Sequence, residues 1–236
     1  MDIQNSVAVV TGANRGLGRH FAAELVKRGA KVYAGARNPS SIDLPDVVPL
    51  QIDITDPESV AAAAATASDA TLLINNAGID THTELLDGDL DDIRRELETH
   101  LFGTLRATRA FVPVIEANGG GGVLNVLSVL SWVHIPQSEA YSVAKAASWA
   151  MTNSVRTRLA PKGVRVTALH VGYLDTDMAA HIDGPKSDPA VVAALALDGV
   201  QAGAYEVLAD EISKNVRAGL SADLTALYPQ LTAPQA

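Results

Sequence analysis

The chain has 236 residues, enough for one α/β domain with a substantial core. Its net charge of −9 argues against nucleic acid or an anionic membrane as the main partner, because both need a basic surface. It has no cysteine, which excludes disulfides, thiolate zinc sites and cysteine nucleophiles and fits a reducing compartment. We find no apolar run long enough to span a bilayer and no signal-peptide pattern at the N-terminus, so the sequence predicts a cytoplasmic protein.

Short apolar segments alternate with segments of helical periodicity along the chain. The periodicity predicts strands over residues 6–11, 31–36, 47–52, 71–75, 123–128, 165–171 and 205–208. It predicts helices over residues 16–27, 57–67, 90–117 (with a kink or an end at Pro113) and 141–159, from residue 189 onward, and over 211–220. This alternation predicts an α/β fold in one domain over residues 1–236: a Rossmann-like, doubly wound parallel sheet of six to seven strands with helices on both faces.

The first turn from strand to helix, residues 11–18 (TGANRGLG), is rich in glycine. Glycines let the backbone turn tightly and approach a pyrophosphate, and the N-terminus of the helix offers free N–H groups. The spacing G-x-x-x-G-x-G differs from the common dinucleotide pattern G-x-G-x-x-G. By itself, the segment also fits a tight turn that binds no ligand.

Tyr141 and Lys145 are four residues apart on a predicted helix, so their side chains share one face. A nearby cation favours the phenolate and lowers the pKa of a phenol, which suits a tyrosine that exchanges protons with an alcohol or carbonyl oxygen. Ser128 ends the fifth predicted strand, where ligands of doubly wound folds bind, and its hydroxyl could reach the same oxygen.

These residues resemble the short-chain dehydrogenase/reductase family over most of the chain. Residues 11–18 look like its glycine motif, and residues 75–78 (NNAG) look like its motif after the fourth strand. Ser128 and the Tyr141–Lys145 spacing match its catalytic residues, and Thr176 looks like its contact to the nicotinamide end. The resemblance implies that Tyr141 is the general acid or base, that Lys145 lowers its pKa and holds the nicotinamide ribose, and that Ser128 polarises the carbonyl.

The candidate cofactor-binding residues follow from the same motifs and from the charges beside them. They are Gly12, Asn14, Arg15, Gly16, Leu17, Gly18, Arg37, Asp53, Ile54, Asn75, Ala77, Gly78, Tyr141, Lys145, Gly172 and Thr176. A carboxylate at the end of the second strand would bind the ribose 2′-hydroxyl of NAD, but Ala36 occupies that position. Two guanidinium groups, Arg15 and Arg37, suit a 2′-phosphate instead, so we expect NADP(H) as the cofactor.

The sequence departs from the family pattern at three places. His100 stands where the family has an asparagine, Val171 precedes Gly172 where the family has proline, and the usual D-G-G ending is missing. In the family, that asparagine holds a water that links the lysine to solvent. The resemblance therefore places His100 among the catalytic residues as a proton relay. The alternatives are that packing turns the ring away or that the register is wrong by one helical turn.

The function that this resemblance implies is NADP(H)-dependent hydride transfer between the nicotinamide and a ketone, an aldehyde or a secondary alcohol. Loops 79–86, 130–137 and 172–182 would line the substrate pocket. They carry several apolar side chains, namely Leu130, Trp132, Ile135, Tyr173, Met178 and Ile182. Reduction of an imine and non-catalytic NADP(H) binding are the alternatives. We expect a homo-oligomer, either dimer or tetramer, and no metal, because the histidines lack ligand spacing.

Overall fold

The computed structural model describes residues 1–232 and contains one sheet of seven parallel strands. The last four residues of the predicted domain lie outside the described residues. The strands are β1 Val7–Thr11, β2 Lys31–Ala36, β3 Val48–Gln51, β4 Leu72–Asn75, β5 Gly121–Val126, β6 Val164–His170 and β7 Glu206–Leu208. Their spatial order is β3-β2-β1-β4-β5-β6-β7, so the connections change direction between β1 and β4. In open α/β sheets, ligands bind at that switch point.

Helices connect the strands. They are α1 Gly16–Lys27, α2 Pro57–Thr66, α3 Leu90–Leu97, α4 Thr104–Ala117, α5 Glu139–Leu159, α6 Pro189–Ala202, α7 Glu211–Gly219 and α8 Leu224–Leu227. Two starts follow the same local rule. Asp56 and Asp188 each cap a helix by accepting an N–H bond, and each is followed by a proline whose missing N–H costs nothing in the first turn. We found no helix among residues 1–232 with the length and apolar character needed to cross a membrane.

Helices cover both faces of the sheet, as predicted. On one face, Phe21 and Leu25 of α1 and Leu197 of α6 pack against the strands. On the other face, Phe111 and Ile115 of α4 are fully buried together with residues of α2 and α5. The strands are therefore buried on both sides, which explains their nearly continuous apolar sequences.

The long helix predicted over residues 90–117 is the clearest difference from the sequence-based assignment. The helix continues through Pro113 to Ala117, so the prediction of an end at that proline is wrong. The α-helical pattern is interrupted earlier, by a π-helix over Glu98–Gly103 that connects α3 to α4. Such π-segments often occur at functional sites, and this one contains His100.

Candidate active site

The ends of β1 and β4 are tied together at the switch point of the sheet. The hydroxyl oxygen of Thr11 accepts hydrogen bonds from the backbone N–H groups of Asn76 and Ala77, both at 3.0 Å. The side-chain amide of Asn76 donates in return to the carbonyls of Thr11 at 2.9 Å and Gly12 at 3.2 Å. The glycine turn and the NNAG segment therefore form one rigid edge of the crevice.

Each of the three glycines in residues 11–18 is required by the local structure, for one of two reasons. Gly12 and Gly16 have φ values of +66° and +52°, in the left-handed region that favours glycine. A Cβ on Gly18 would lie 2.2 Å from the carbonyl oxygen of Gly12, so only glycine lets α1 approach β1 this closely. No side chain caps α1, because its N-cap residue, Arg15, makes no capping bond. The N–H groups of the first turn are therefore available to an anion.

Ser128, Tyr141 and Lys145 come together beyond the end of β5. Ser128 is buried and lies two residues beyond the strand, where it begins a short 3₁₀ turn and its hydroxyl accepts from the N–H of Leu130 at 3.1 Å. Tyr141 lies in the first turn of α5, which begins two residues earlier than predicted. The Lys145 Nζ donates to the carbonyl of Val126 at 2.9 Å and lies 5.3 Å from the centroid of the Tyr141 ring.

Burial changes the pKa values of both titratable members of this trio. It lowers the pKa of Lys145 to about 8, while the charge of Glu96 acts in the opposite direction. The pKa of Tyr141 is raised, mainly by loss of contact with water and then by the carboxylates of Asp80 and Glu96, and a hydrogen bond from Ser128 only partly offsets this. The expectation of a lowered pKa for this phenol is therefore wrong for this structure, because burial and the carboxylates of Asp80 and Glu96 raise it.

His100 faces Tyr141. Its ring meets the Tyr141 ring edge to face, with 5.1 Å between the centroids. Its Nε2 lies 2.8 Å from the carbonyl oxygen and 3.4 Å from the N–H of Ile79, and we assign the proton to this nitrogen because the shorter contact is to an oxygen that can only accept. A Cβ on Gly78 would lie 2.6 Å from Cε1 of His100, which explains the glycine of the NNAG segment. Burial lowers the pKa of His100, so the ring is neutral near pH 7.

Three of the predicted cofactor residues have a side chain or an N–H group that is engaged elsewhere in the fold. The buried Asn75 amide donates to Asn125 at 2.8 Å and to Thr108 at 3.1 Å, which joins β4 to β5 and α4. Leu17 is part of the apolar core, so only its backbone can reach a ligand. The N–H of Gly172 donates to the Asp210 carboxylate at 2.6 Å. Sequence motifs identify such positions, but they do not show which atoms are already bonded.

The other predicted cofactor residues lie at the carboxyl ends of the strands or in the segments that follow them. Gly16 lies close to the side chain of Thr176, so the segment after β6 closes over the glycine turn. Arg15 lies 3.7 Å from Asp177 in an ion pair that is largely exposed and therefore weak. Ala36 ends β2, and Arg37 after it is exposed. At the end of β3, Asp53 is bonded within its own turn to Thr55 Oγ1 and N–H, and Ile54 is buried. Asn14 and Ala77 are partly exposed.

The loops predicted to form the substrate pocket contact one another, but Trp132 turns inward. His82 and His181 meet edge to face with 4.7 Å between ring centroids, which joins the first loop to the third. His134 of the second loop stacks on Tyr228 at 4.8 Å, so the segment after α8 covers part of this region. The half-buried ring of Trp132 stacks on buried His170, with 3.8 Å between the ring centroids.

Sequence reasoning missed two acidic residues beside Tyr141. Glu96 is completely buried, and Asp80 follows the NNAG segment and accepts a hydrogen bond from Ser138 at 3.1 Å. Glu96 lies four residues before His100, on the same helical face, and this spacing was a usable signal. The spacing was overlooked because Glu96 belongs to a highly charged segment, and such segments are usually exposed to solvent.

The profile of the short chain dehydrogenase family matches residues 6–186. A crystal structure of a short chain dehydrogenase from Burkholderia cenocepacia J2315 in complex with NADP is 42% identical, superposes with a TM-score of 0.93, and covers 99% of this chain and 100% of that one.

Two curated relatives are more distant. The mouse dehydrogenase/reductase SDR family member 7B is 31% identical over 75% of this chain, which spans 60% of the relative's length. The 3-oxoacyl-acyl-carrier-protein reductase FabG of Salmonella typhimurium is 30% identical over 75% of this chain and 77% of its own length.

Proposed function

The chain belongs to the short-chain dehydrogenase family, and we propose that it is an NADP(H)-dependent carbonyl reductase or alcohol dehydrogenase acting on a small ketone, aldehyde or secondary alcohol. The observation that carries this proposal is the cluster of Ser128, Tyr141 and Lys145 beyond the end of β5. The substrate class rests on that chemistry and on the exposed apolar side chains Tyr173 and Met178 beside the site.

Each residue of the cluster has one task in this proposal. The Tyr141 phenol, held protonated by its raised pKa, donates a proton to the carbonyl oxygen during reduction. Ser128 donates a hydrogen bond to the same oxygen and orients it. Lys145 supplies a positive charge beside the phenolate that forms. The nicotinamide supplies or accepts the hydride, and the protein supplies position and electrostatics.

The residues of the crevice at the switch point suit the pyrophosphate and the 2′-phosphate of NADP(H). The uncapped start of α1 can bind a pyrophosphate. Arg37 directly follows β2, whose last residue, Ala36, offers no carboxylate, and Arg15 is exposed at the start of α1. The Burkholderia relative, which covers nearly the whole chain, was solved with NADP. Arg15 would exchange its weak exposed contact with Asp177 for a phosphate.

Cofactor choice gives a direct prediction. We expect the natural protein to prefer NADPH to NADH, and the double variant Ala36→Asp, Arg37→Ala to prefer NADH. The new carboxylate would bind a ribose 2′-hydroxyl and repel a 2′-phosphate. The 2′-phosphate would also lose its hydrogen bonds to the Arg37 guanidinium. The measurement is kcat/KM for both cofactors. Arg19→Ala is the control, because it removes an arginine of α1 that pairs with Asp43. Equal use of NADH by the natural protein would contradict the assignment.

The proposed activity is tested by NADPH oxidation with a panel of ketones, aldehydes and cyclic imines. Turnover of carbonyl compounds supports the proposal, and turnover of imines alone would replace it with C=N reduction. Binding of NADPH without turnover of any member would identify a non-catalytic NADP(H)-binding protein. The assignments of a homo-oligomer and of a cytoplasmic location stay predictions, to be measured by sedimentation and by fractionation.

A role of His100 in proton relay remains part of the proposal, with one change. Because burial lowers the pKa of the imidazole, the ring would act in its neutral form, and Nδ1 would be the accepting nitrogen. Within the cluster, the group whose pKa lies close to neutral is Lys145, at about 8. This leaves the question of what holds the ring against Tyr141.

A further inference from the structure

A buried acidic residue lies next to the proposed catalytic cluster. Glu96 lies in the last turn of α3, and its side chain is completely inaccessible to solvent. Its Oε1 accepts a bond of 2.6 Å from the N–H of Thr81, and its Oε2 lies 3.3 Å from Nε2 of His100. Within residues 1–232, Oε2 has no hydrogen-bond partner, and no arginine or lysine lies within ion-pair distance of Glu96.

A buried carboxylate in this position needs a physical reason. Removing an ionised group from water costs free energy unless a nearby charge or a set of hydrogen bonds compensates for the loss. The surroundings of Glu96 provide one strong N–H bond and the edge of an imidazole. The next cation inward is the Lys145 ammonium, which is itself buried and bonded only to a backbone carbonyl.

The contacts run in sequence through the site. Glu96 touches His100, the His100 ring meets Tyr141 at 5.1 Å, and Lys145 Nζ lies 5.3 Å from the Tyr141 ring centroid. We propose that Glu96 is a positioning residue: its carboxylate seats His100 against Tyr141 and supplies the negative charge that balances the Lys145 ammonium. The inference rests on the proposed function, because it takes Tyr141 as the reacting acid.

The electrostatics of the neighbouring groups agree with this role. The titratable groups packed here come from several elements: Asp80 after β4, Glu96 of α3, His100 of the π-helix, Tyr141 and Lys145 of α5, and His170 at the end of β6. The charge of Glu96 raises the pKa of Lys145 and of Tyr141. It therefore keeps the lysine charged and the tyrosine protonated, which is the state that reduces a carbonyl.

The first experiment measures Lys145 directly and needs neither cofactor nor substrate. Lysine labelled with ¹³C at Cε is titrated by NMR in the cofactor-free protein, and Lys145→Met assigns the signal. We expect a midpoint near the pKa of about 8 in the natural protein and a fall of about one pH unit in Glu96→Gln. Asp91→Asn removes an exposed carboxylate of the same helix and should leave the midpoint unchanged. An unchanged midpoint in Glu96→Gln would overturn the inference.

Glu96→Asp keeps the negative charge, so this variant tests the inference if Glu96→Gln does not fold. Its midpoint should stay close to that of the natural protein, and a fall as large as that expected for loss of the charge would contradict the role of the carboxylate.

The second experiment uses the pH profile of alcohol oxidation. Removing the negative charge should move the acid-side inflection in Glu96→Gln to lower pH, because the phenol then ionises more easily. If Glu96 acts through the imidazole, the substitution should have a smaller effect in a His100→Asn background. A full effect in that background would contradict the seating of His100. If Lys145 titrates as expected while the natural protein reduces no carbonyl, the proposed function fails and only the charge balance between Glu96 and Lys145 stands.

Discussion

Replacing Tyr141 with phenylalanine should remove most turnover and leave the fold and NADPH affinity nearly unchanged. The substitution deletes the oxygen that donates the proton and keeps the ring that meets His100. General acid catalysis contributes about 10²–10⁴-fold, so we expect kcat to fall within that range. The measurement is kcat for ketone reduction, with cofactor affinity from fluorescence titration.

A second tyrosine variant separates this effect from general damage. Tyr205→Phe removes a hydroxyl from a ring that lies near Arg156 and Arg165, away from the cluster, and should retain the natural kcat. Nearly normal turnover in a folded Tyr141→Phe protein would reject the proposed mechanism. A loss of cofactor affinity in parallel with kcat would show that Tyr141 serves mainly in binding.

Lys145→Met should abolish turnover and also stabilise the cofactor-free protein at pH 7. The pKa of this lysine falls from 10.5 to about 8 on folding, because the charged form is buried. That difference corresponds to roughly 3 kcal/mol of destabilisation at pH 7. Methionine leaves the carbonyl of Val126 without its donor, which costs about 1 kcal/mol. We therefore expect a net gain of about 2 kcal/mol in the free energy of unfolding.

The pH dependence of this gain follows from proton linkage. Between pH 8 and 10.5 the unfolded chain keeps the lysine proton and the folded chain has lost it, so the natural protein gains stability as pH rises. The advantage of Lys145→Met should therefore be full below pH 8 and shrink towards pH 10. Urea denaturation at pH 7 and pH 10 measures it. Lys162→Met, at an exposed lysine paired with Glu116, should show no such pH-dependent gain. A Lys145→Met protein that is less stable at both values would contradict the burial cost.

Such a lysine illustrates a common conflict between stability and function. A charged group that is costly to bury persists where it acts on a reaction. The same reasoning applies to Glu96. Its buried Oε2 has no hydrogen-bond partner within residues 1–232, so burying this oxygen does not stabilise the fold. If both residues serve Tyr141, the cofactor-free protein bears the free-energy cost of burying their charges. Variants that remove a charge should then be more stable and inactive.

Local rules of the sequence determined most of the fold. The bounds of α1, Gly16–Lys27, match the prediction, and Asp56 and Asp188 begin α2 and α6 as capping residues before a proline. These features depend on neighbours a few residues apart, so the sequence contains all that specifies them. The alternation of strand and helix similarly predicted the parallel sheet, because few topologies accommodate it.

Tertiary structure alone decided the features that depend on packing between distant segments. The π-helix over Glu98–Gly103, the inward turn of Trp132 onto His170 and the bonding of Asn75 beneath the crevice all arise where separate elements meet. The burial of Glu96 is the most consequential case. The two residues before it, Arg94 and Arg95, are charged and exposed, and only the approach of α5 and the loop after β4 removes it from water. A one-dimensional pattern records the spacing of charges, but the dielectric surroundings that determine their chemistry form only when the chain folds.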